Sequence, residues 1–256
     1  GDCFYIRGPE GTDYLIDGGS SDISEVGKYR IEPYLRSIGV DKLEYVLVSH
    51  GDIDHYSGIA EMLERQMIGV QIETLVVCPE QFWDDAIREL VTLAMDNDTK
   101  VAVMEEGDVL TEGDMSLTYL APTNLYEGEI GNASSMVLEL QLASFNMLFT
   151  GDVEGEGEEM LTDILETEAL VLKVSHHGSK NSTSEEFLDI VQPKIALISA
   201  GIDSIYGHPH EETIEKLLQY NCMIYSTPIH GGVVLSYNVN NDKINIYKTI
   251  EEATSQ

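Results

Sequence analysis

Apolar residues in this chain fall into short runs separated by turn residues. Residues 3–6 and 14–16 are two such runs, joined by Gly8-Pro9-Glu10-Gly11. They predict two strands about a tight turn, the second ended by Asp17-Gly18-Gly19. Ile31, Tyr34, Leu35 and Ile38 then recur at helical spacing before Gly39, which predicts a helix. Tyr45-Val46-Leu47-Val48 reads as a buried strand and runs directly into Ser49-His50-Gly51-Asp52-Ile53-Asp54-His55. Ile59, Met62 and Leu63 predict a helix after it, residues 75–77 a strand, and residues 82–95 a further helix. Strands are predicted over 101–104, 117–120, 136–142 and 146–149, the last ending at Thr150-Gly151-Asp152. After a helix carrying Met160, Ile164 and Leu165, the apolar run 170–174 leads into Ser175-His176-His177-Gly178-Ser179. Helix and strand alternate through 187–191, 195–199 and 214–218, and two strands close the chain at 233–237 and 244–247.

No Pro- or Ser-rich linker, internal repeat or low-complexity tract interrupts the pattern. It predicts one α/β (or α+β) domain over residues 1–250, followed by a frayed tail over 251–256. At 256 residues such a domain buries roughly three quarters of its unfolded surface, so it needs no disulfide or metal merely to fold. Apolar residues make up 43%, but no run approaches the ~18 residues of a membrane span. The opening Gly1-Asp2-Cys3-Phe4-Tyr5-Ile6 has neither an initiator Met nor a signal-peptide pattern. It reads as a start partway through a longer chain, with a first strand or a partner domain ahead of it. The three cysteines, Cys3, Cys78 and Cys222, are far apart and each adjoins an apolar run. They are expected to be buried thiols, consistent with a reducing, cytoplasmic setting.

Charge narrows the range of partners. Forty-six acidic against 14 basic residues give −32, a field that repels phosphate backbones at long range. Broad non-specific duplex binding is therefore not expected. A phosphate-bearing substrate would need metal cations at the site.

Six of the seven histidines follow strand ends or sit in one turn: His50 and His55, His176 and His177, and His208 and His210 in Gly207-His208-Pro209-His210. Strand ends meet at one edge of a sheet, so these groups are expected to converge. His50, Asp52, Asp54 and His55 place four metal-capable side chains in six positions, which a short loop can aim at one centre. Asp152 alone would read as a helix N-cap; beside the other motifs it reads as a carboxylate able to join two cations. His210 is expected to begin a helix, with Glu211 and Glu212 in its first turn, and His230 to be structural. Lys173 either faces the site or balances nearby carboxylates.

The order His-x-Asp-x-Asp-His, Gly-Asp, Ser-His-His-Gly-Ser resembles the metallo-β-lactamase superfamily. Within it, the chain is most similar to the C-terminal nuclease-like domain of the competence DNA-uptake protein ComEC and its stand-alone relatives. Leu15-Ile16-Asp17-Gly18-Gly19, the initial Gly1-Asp2, Asn132-Ala133-Ser134-Ser135-Met136-Val137-Leu138 and Tyr206-Gly207-His208-Pro209 match further features in order. The resemblance implies a four-layer αββα sandwich with two divalent metal ions, Zn²⁺ or Mn²⁺, at one edge. His50 and Asp52 would serve one metal, Asp54, His55 and His176 the other, and Asp152 both. Two features depart from the wider superfamily. Asp52 stands where a second His is usual, and no His lies between His55 and His176. Asn132 and Ser134 are the candidates to fill the gap. The site is thus richer in oxygen and expected to accept Mn²⁺ readily, with the second position the tighter.

The expected function is a metal-dependent hydrolase, a phosphodiesterase or nuclease in which a cation acidifies the attacking water. Asp54 and His208 are the candidate catalytic residues. Asn132, His177 and Ser179 are candidates for substrate contacts, with single-stranded nucleic acid among the expected partners. The alternatives are hydrolysis of a small phosphodiester or other small ester, and a non-catalytic metal-bound module of a larger assembly.

Overall fold

Alternating side chains of the central strands feed two different cores. A computed structural model describes residues 1–250; the tail expected over 251–256 lies outside the described residues. In β2 (Asp13–Ile16), Tyr14 and Ile16 point one way and Leu15 the other. In β9 (Phe145–Phe149), Met147 and Phe149 oppose Leu148. β10 (Val171–Lys173) and β11 (Ile195–Ile198) divide in the same way. Such strands are apolar on both faces because each sheet is covered on both faces.

One sheet runs β1 (Phe4–Arg7), β2, β3 (Lys42–Leu47), β4 (Gln71–Val77), β5 (Lys100–Val103). The other runs β12 (Met223–Ser226), β11, β10, β9, β8 (Val137–Leu142), β7 (Met115–Ala121), β6 (Val109–Glu112). A central core between the sheets holds Tyr14, Leu47, Tyr119, Leu138, Phe149 and Leu197. A second core joins the first sheet to α1 (Glu32–Ser37), α2 (Ile53–Glu64) and α3 (Asp85–Asp96) through Leu35, Ile59, Met62 and Leu90. A third joins the other sheet to α4 (Glu156–Ile164), α5 (Glu185–Val191) and α6 (Glu211–Gln219) through Leu161, Phe187 and Leu217. This is the four-layer αββα arrangement. After the short α7 (Thr227–His230), the hairpin of β13 (Val233–Asn238) and β14 (Lys243–Lys248) lays Val233, Leu235 and Ile246 against the central core.

Three local differences from the sequence pattern have physical causes. The helix expected from residue 82 begins at Asp85, because the Asp84 side chain accepts from Ile87 N (2.8 Å) and caps it. Strands β6 and β12 were not predicted from the pattern; each lies at an edge of its sheet and is partly exposed, and β12 carries the short apolar run Met223-Ile224-Tyr225. Cys78 and Cys222 are buried free thiols as expected, whereas Cys3 is exposed just ahead of the edge strand β1. Among the described residues, no helix is long and apolar enough to cross a membrane.

Parallel pairing of β2, β3 and β4, and of β9, β10, β11 and β12, aligns their C-terminal ends. β1 is antiparallel to β2, with Phe4 opposite Ile16. Residues just before β1 therefore return to the edge where β2 ends.

Candidate metal centre

Each chemically active side chain follows a strand end on this edge. Asp17 follows β2, His50 follows β3, Asp152 follows β9, and His176 and His177 follow β10. Asp54 and His55 ride the first turn of α2, where the helix N-terminus favours negative charge. That turn comes close because residue 19 is glycine: a Cβ there would lie 2.6 Å from Asp54 C and 2.7 Å from His55 N. Asp17, His176 and His177 all adopt left-handed backbone conformations (φ 55, 46 and 53°). Non-glycine residues hold such conformations at a cost of order 1–3 kcal/mol each.

The imidazoles share one arrangement: a rear nitrogen that is held and a forward nitrogen that is not. His55 Nδ1 donates to Asp17 Oδ2 (2.9 Å), and His177 Nδ1 donates to the Ser199 carbonyl (2.8 Å). Ser49 Oγ donates to Asp17 Oδ2 (2.8 Å) and so accepts from His50 Nδ1 (3.0 Å). The Nε2 atoms of His50, His55 and His177 are buried without a hydrogen-bond partner. They face carboxylates instead. His55 Nε2 lies 3.2 Å from Asp152 Oδ2, and His177 Nε2 lies 3.2 Å from both Asp54 Oδ2 and Asp152 Oδ2. A tetrahedron with metal bonds of roughly 2.0 Å has an edge of about 3.3 Å. Forward nitrogens converging with carboxylate oxygens at that spacing, each imidazole fixed from behind, fit a divalent cation.

Asp2, His55, Asp152 and His177 are all buried and lie within 4.8 Å of one another in their donor atoms. Of these, Asp2 approaches the rear nitrogens, at 3.3 Å from His177 Nδ1 and 3.9 Å from His55 Nδ1. Its neighbours mark it as a support behind the cage. The forward-facing set is Asp54, His55, Asp152 and His177.

The buried donor cluster shares His55 and Asp152 with the expected ligand set and adds Asp2 and His177. His176 was expected among the ligands and His177 among the substrate contacts. His177 lies at the centre, while His176 is half-buried, with Nε2 4.0 Å from Asp152 Oδ2 and Nδ1 donating to Glu154 (2.9 Å). His50 and Asp52 form a flank, Nε2 to Oδ2 3.7 Å, with the His50 ring 4.2 Å from that of His55. Asp152 caps no helix, since α4 begins at Glu156. Asn132 is half-buried and donates to Glu154 (3.4 Å). Ser134 is buried, its Oγ within the Gly131 turn. Ser179 is buried and its Oγ accepts from Asn181 N (3.2 Å). His208 stands at the rim, its ring 5.2 Å from His176 and 6.2 Å from His177. His210 precedes α6, as expected, and Nδ1 accepts from Lys180 N (3.1 Å). His230 is buried in the last turn before the hairpin, its Nδ1 accepting from Ser226 N (3.0 Å). Asp17, Asp2 and Lys173 carry structural weight that the motifs alone did not assign. The signal available for Asp17 was a carboxylate at a strand end before two glycines.

Burial alone lowers a histidine pKa, yet Asp152 and Asp17 outweigh it and raise His55 to about 10. His177 is raised to about 11 against the same burial, by Asp2 and Asp152. Burial pushes the Asp152 and Asp54 carboxyls up, but the facing imidazoles prevail and hold both well below the usual range. The cage thus demands positive charge. His208 behaves oppositely: burial, then the charges of His176, His210 and His177, push it down to about 4.

Two face-to-face sheets with helices outside and a His/Asp cage at one edge define a metallo-β-lactamase-type fold. The chain belongs to the metallo-β-lactamase superfamily, whose family description matches residues 1–202. It is similar to ComE operon protein 3 of Bacillus subtilis (strain 168), at 33% identity over 214 residues, covering 83% of this chain and 27% of that protein. It is also similar to Competence protein ComA of Neisseria gonorrhoeae, at 25% identity over 248 residues, covering 91% of this chain and 31% of that protein. The chain therefore spans about a quarter to a third of the length of these relatives. Among solved structures, the metallo-beta-lactamase fold protein YhfI from Bacillus subtilis matches with a TM-score of 0.55 at 14% identity, covering 88% of each chain.

Proposed function

We propose that this chain is a metal-dependent phosphodiesterase, with single-stranded nucleic acid as the substrate class. The carrying observation is that His55 Nε2 lies 3.2 Å from Asp152 Oδ2, and His177 Nε2 lies 3.2 Å from both Asp152 Oδ2 and Asp54 Oδ2, with the imidazoles held from behind. Asp54, His55, Asp152 and His177 would hold the tighter cation. His50 and Asp52 would hold a weaker one, with Asp152 shared and His176 beside it. Divalent cations supply Lewis acidity and lower the pKa of water from 15.7 to roughly 7. Carboxylate-rich donors favour Mn²⁺ more than an all-imidazole site would.

The chain's own residues supply the rest. Asp54 is the carboxylate of the tight set open to solvent, 21% exposed against 3% for Asp152. It is placed to orient an attacking water and take its proton. His208, held neutral at pH 7, keeps one ring N–H for a phosphate oxygen. Asn132 and His176 line the same rim. Support for a phosphodiester comes from the competence relative and from the oxygen-rich donor set. The charge of −32 works against a long backbone-tracking groove and favours short contact at the site itself.

A panel assay with the Mn²⁺-loaded protein tests this, using bis-p-nitrophenyl phosphate, single-stranded DNA, single-stranded RNA and a β-lactam. Cleavage of the diester and a single strand, lost in Asp54→Ala and Asp152→Ala, is expected. Cleavage of the small diester alone would move the substrate class to small phosphodiesters. No cleavage of any phosphodiester would leave a metal-bound module without this activity.

A further inference from the structure

Lys173 is 1% exposed, and no part of the chemistry above uses it. Its Nζ lies 2.6 Å from Asp2 Oδ2 and 3.2 Å from Asp152 Oδ1, and it also donates to the Gly151 carbonyl. An isolated buried ammonium is strongly unfavourable, so two carboxylates and a carbonyl account for its tolerance there. They do not account for the position of Asp2. That residue is equally buried and is pinned by backbone bonds on both sides: Asp2 N donates to Asp54 O (3.1 Å), and Gly19 N donates to Asp2 O (3.2 Å). Its Oδ1 has no hydrogen-bond partner and lies 3.3 Å from His177 Nδ1.

We propose that Asp2 and Lys173 form a positioning pair for the cation site; this rests on reading the cage as that site. The Asp2 carboxylate favours the proton on His177 Nδ1, reinforcing the Ser199 carbonyl, and so keeps the Nε2 lone pair forward. Lys173 holds Asp152 Oδ1, so Asp152 presents Oδ2 to the cage, and closure of both its oxygens on one cation would be disfavoured. One ammonium, through two carboxylates, thereby sets the direction of an imidazole and the denticity of the shared ligand.

Lys173→Met and Asp2→Asn test the pair through Mn²⁺ titration followed by electron paramagnetic resonance, with circular dichroism as the check on folding. Asp2→Asn keeps the backbone bonds and a carbonyl oxygen for Lys173, so it remains informative if Lys173→Met does not fold. Both variants are expected to bind Mn²⁺ some 10- to 100-fold more weakly, the range usual for residues supporting metal ligands. In Lys173→Met the bound Mn²⁺ spectrum is also expected to change, since Asp152 Oδ1 becomes free to coordinate. A purely structural salt bridge would lower the melting temperature of the chelated protein while leaving Mn²⁺ affinity and spectrum unaltered. Folded variants that bind like the wild type within twofold overturn the proposal and leave the cage reading intact. Failure of the wild type itself to bind Mn²⁺ removes both.

Discussion

Asp17 Oδ2 lies 2.9 Å from His55 Nδ1, and the same carboxylate accepts from both the backbone N and the hydroxyl of Ser49 at 2.8 Å. Through Ser49 it also reaches His50 Nδ1. One buried carboxylate at the end of β2 therefore orients two histidines at the end of β3 and the start of α2. Asp17→Asn is expected to weaken divalent-metal affinity by about 10- to 100-fold without removing any ligand. Calorimetric titration with Mn²⁺ checks this; an unchanged dissociation constant would show that Asp17 does not support the site.

The paired histidines should separate clearly. His177 Nε2 faces two carboxylates at 3.2 Å, whereas His176 sits at 4.0 Å from one and is tied to Glu154. His177→Ala should abolish tight binding at the principal position. His176→Ala should leave that affinity within about tenfold, the lower end for a peripheral supporter. The reverse ranking in Mn²⁺ titrations would restore the original expectation for His176.

Which of two adjacent histidines turns inward was not legible in the sequence. Both follow the same strand, and both take left-handed backbone angles that the apolar pattern does not signal. The strands were legible as short apolar runs, which β2 and β10 bury on both faces, and the motif histidines lie beyond strand ends; the four layers came from the family resemblance. Lys173 was legible only as one of two alternatives, and Asp2 only as part of a family feature, not as its partner. Their roles follow from β1 running antiparallel to β2 and from β9 lying beside β10. These are long-range pairings that leave no local pattern.

The chelated protein should lose stability as pH rises. His55 and His177 are raised to about 10 and 11 from the ordinary 6.5. Their contribution is complete below about pH 6.5 and is lost progressively as pH climbs through 10 to 11. Metal binding must displace those protons, so affinity should rise with pH over the same window. Melting curves in a chelator from pH 6.5 to 10, and proton release during Mn²⁺ titration in two buffers, measure both. Stability rising across that window, or binding without proton release, would contradict the charge arrangement.

Close packing of α2 against the Asp17-Gly18-Gly19 turn makes a separate prediction. A methyl at Gly19 would meet Asp54 C at 2.6 Å, backbone that cannot rotate aside. Gly19→Ala should destabilise the fold by about 1–3 kcal/mol, as overpacking does, and weaken metal binding by shifting Asp54 and His55. Urea denaturation together with Mn²⁺ titration tests it. A variant as stable as wild type with full affinity would mean that this turn yields easily.

The most direct test is an anomalous-scattering crystal structure of the protein grown with Mn²⁺. A peak is expected within roughly 2.0–2.3 Å of His55 Nε2, His177 Nε2, Asp54 Oδ2 and Asp152 Oδ2, with any second, weaker peak beside His50 and Asp52. A principal peak held by His176 instead of His177, or none at this edge of the sandwich, would contradict the assignment of the site.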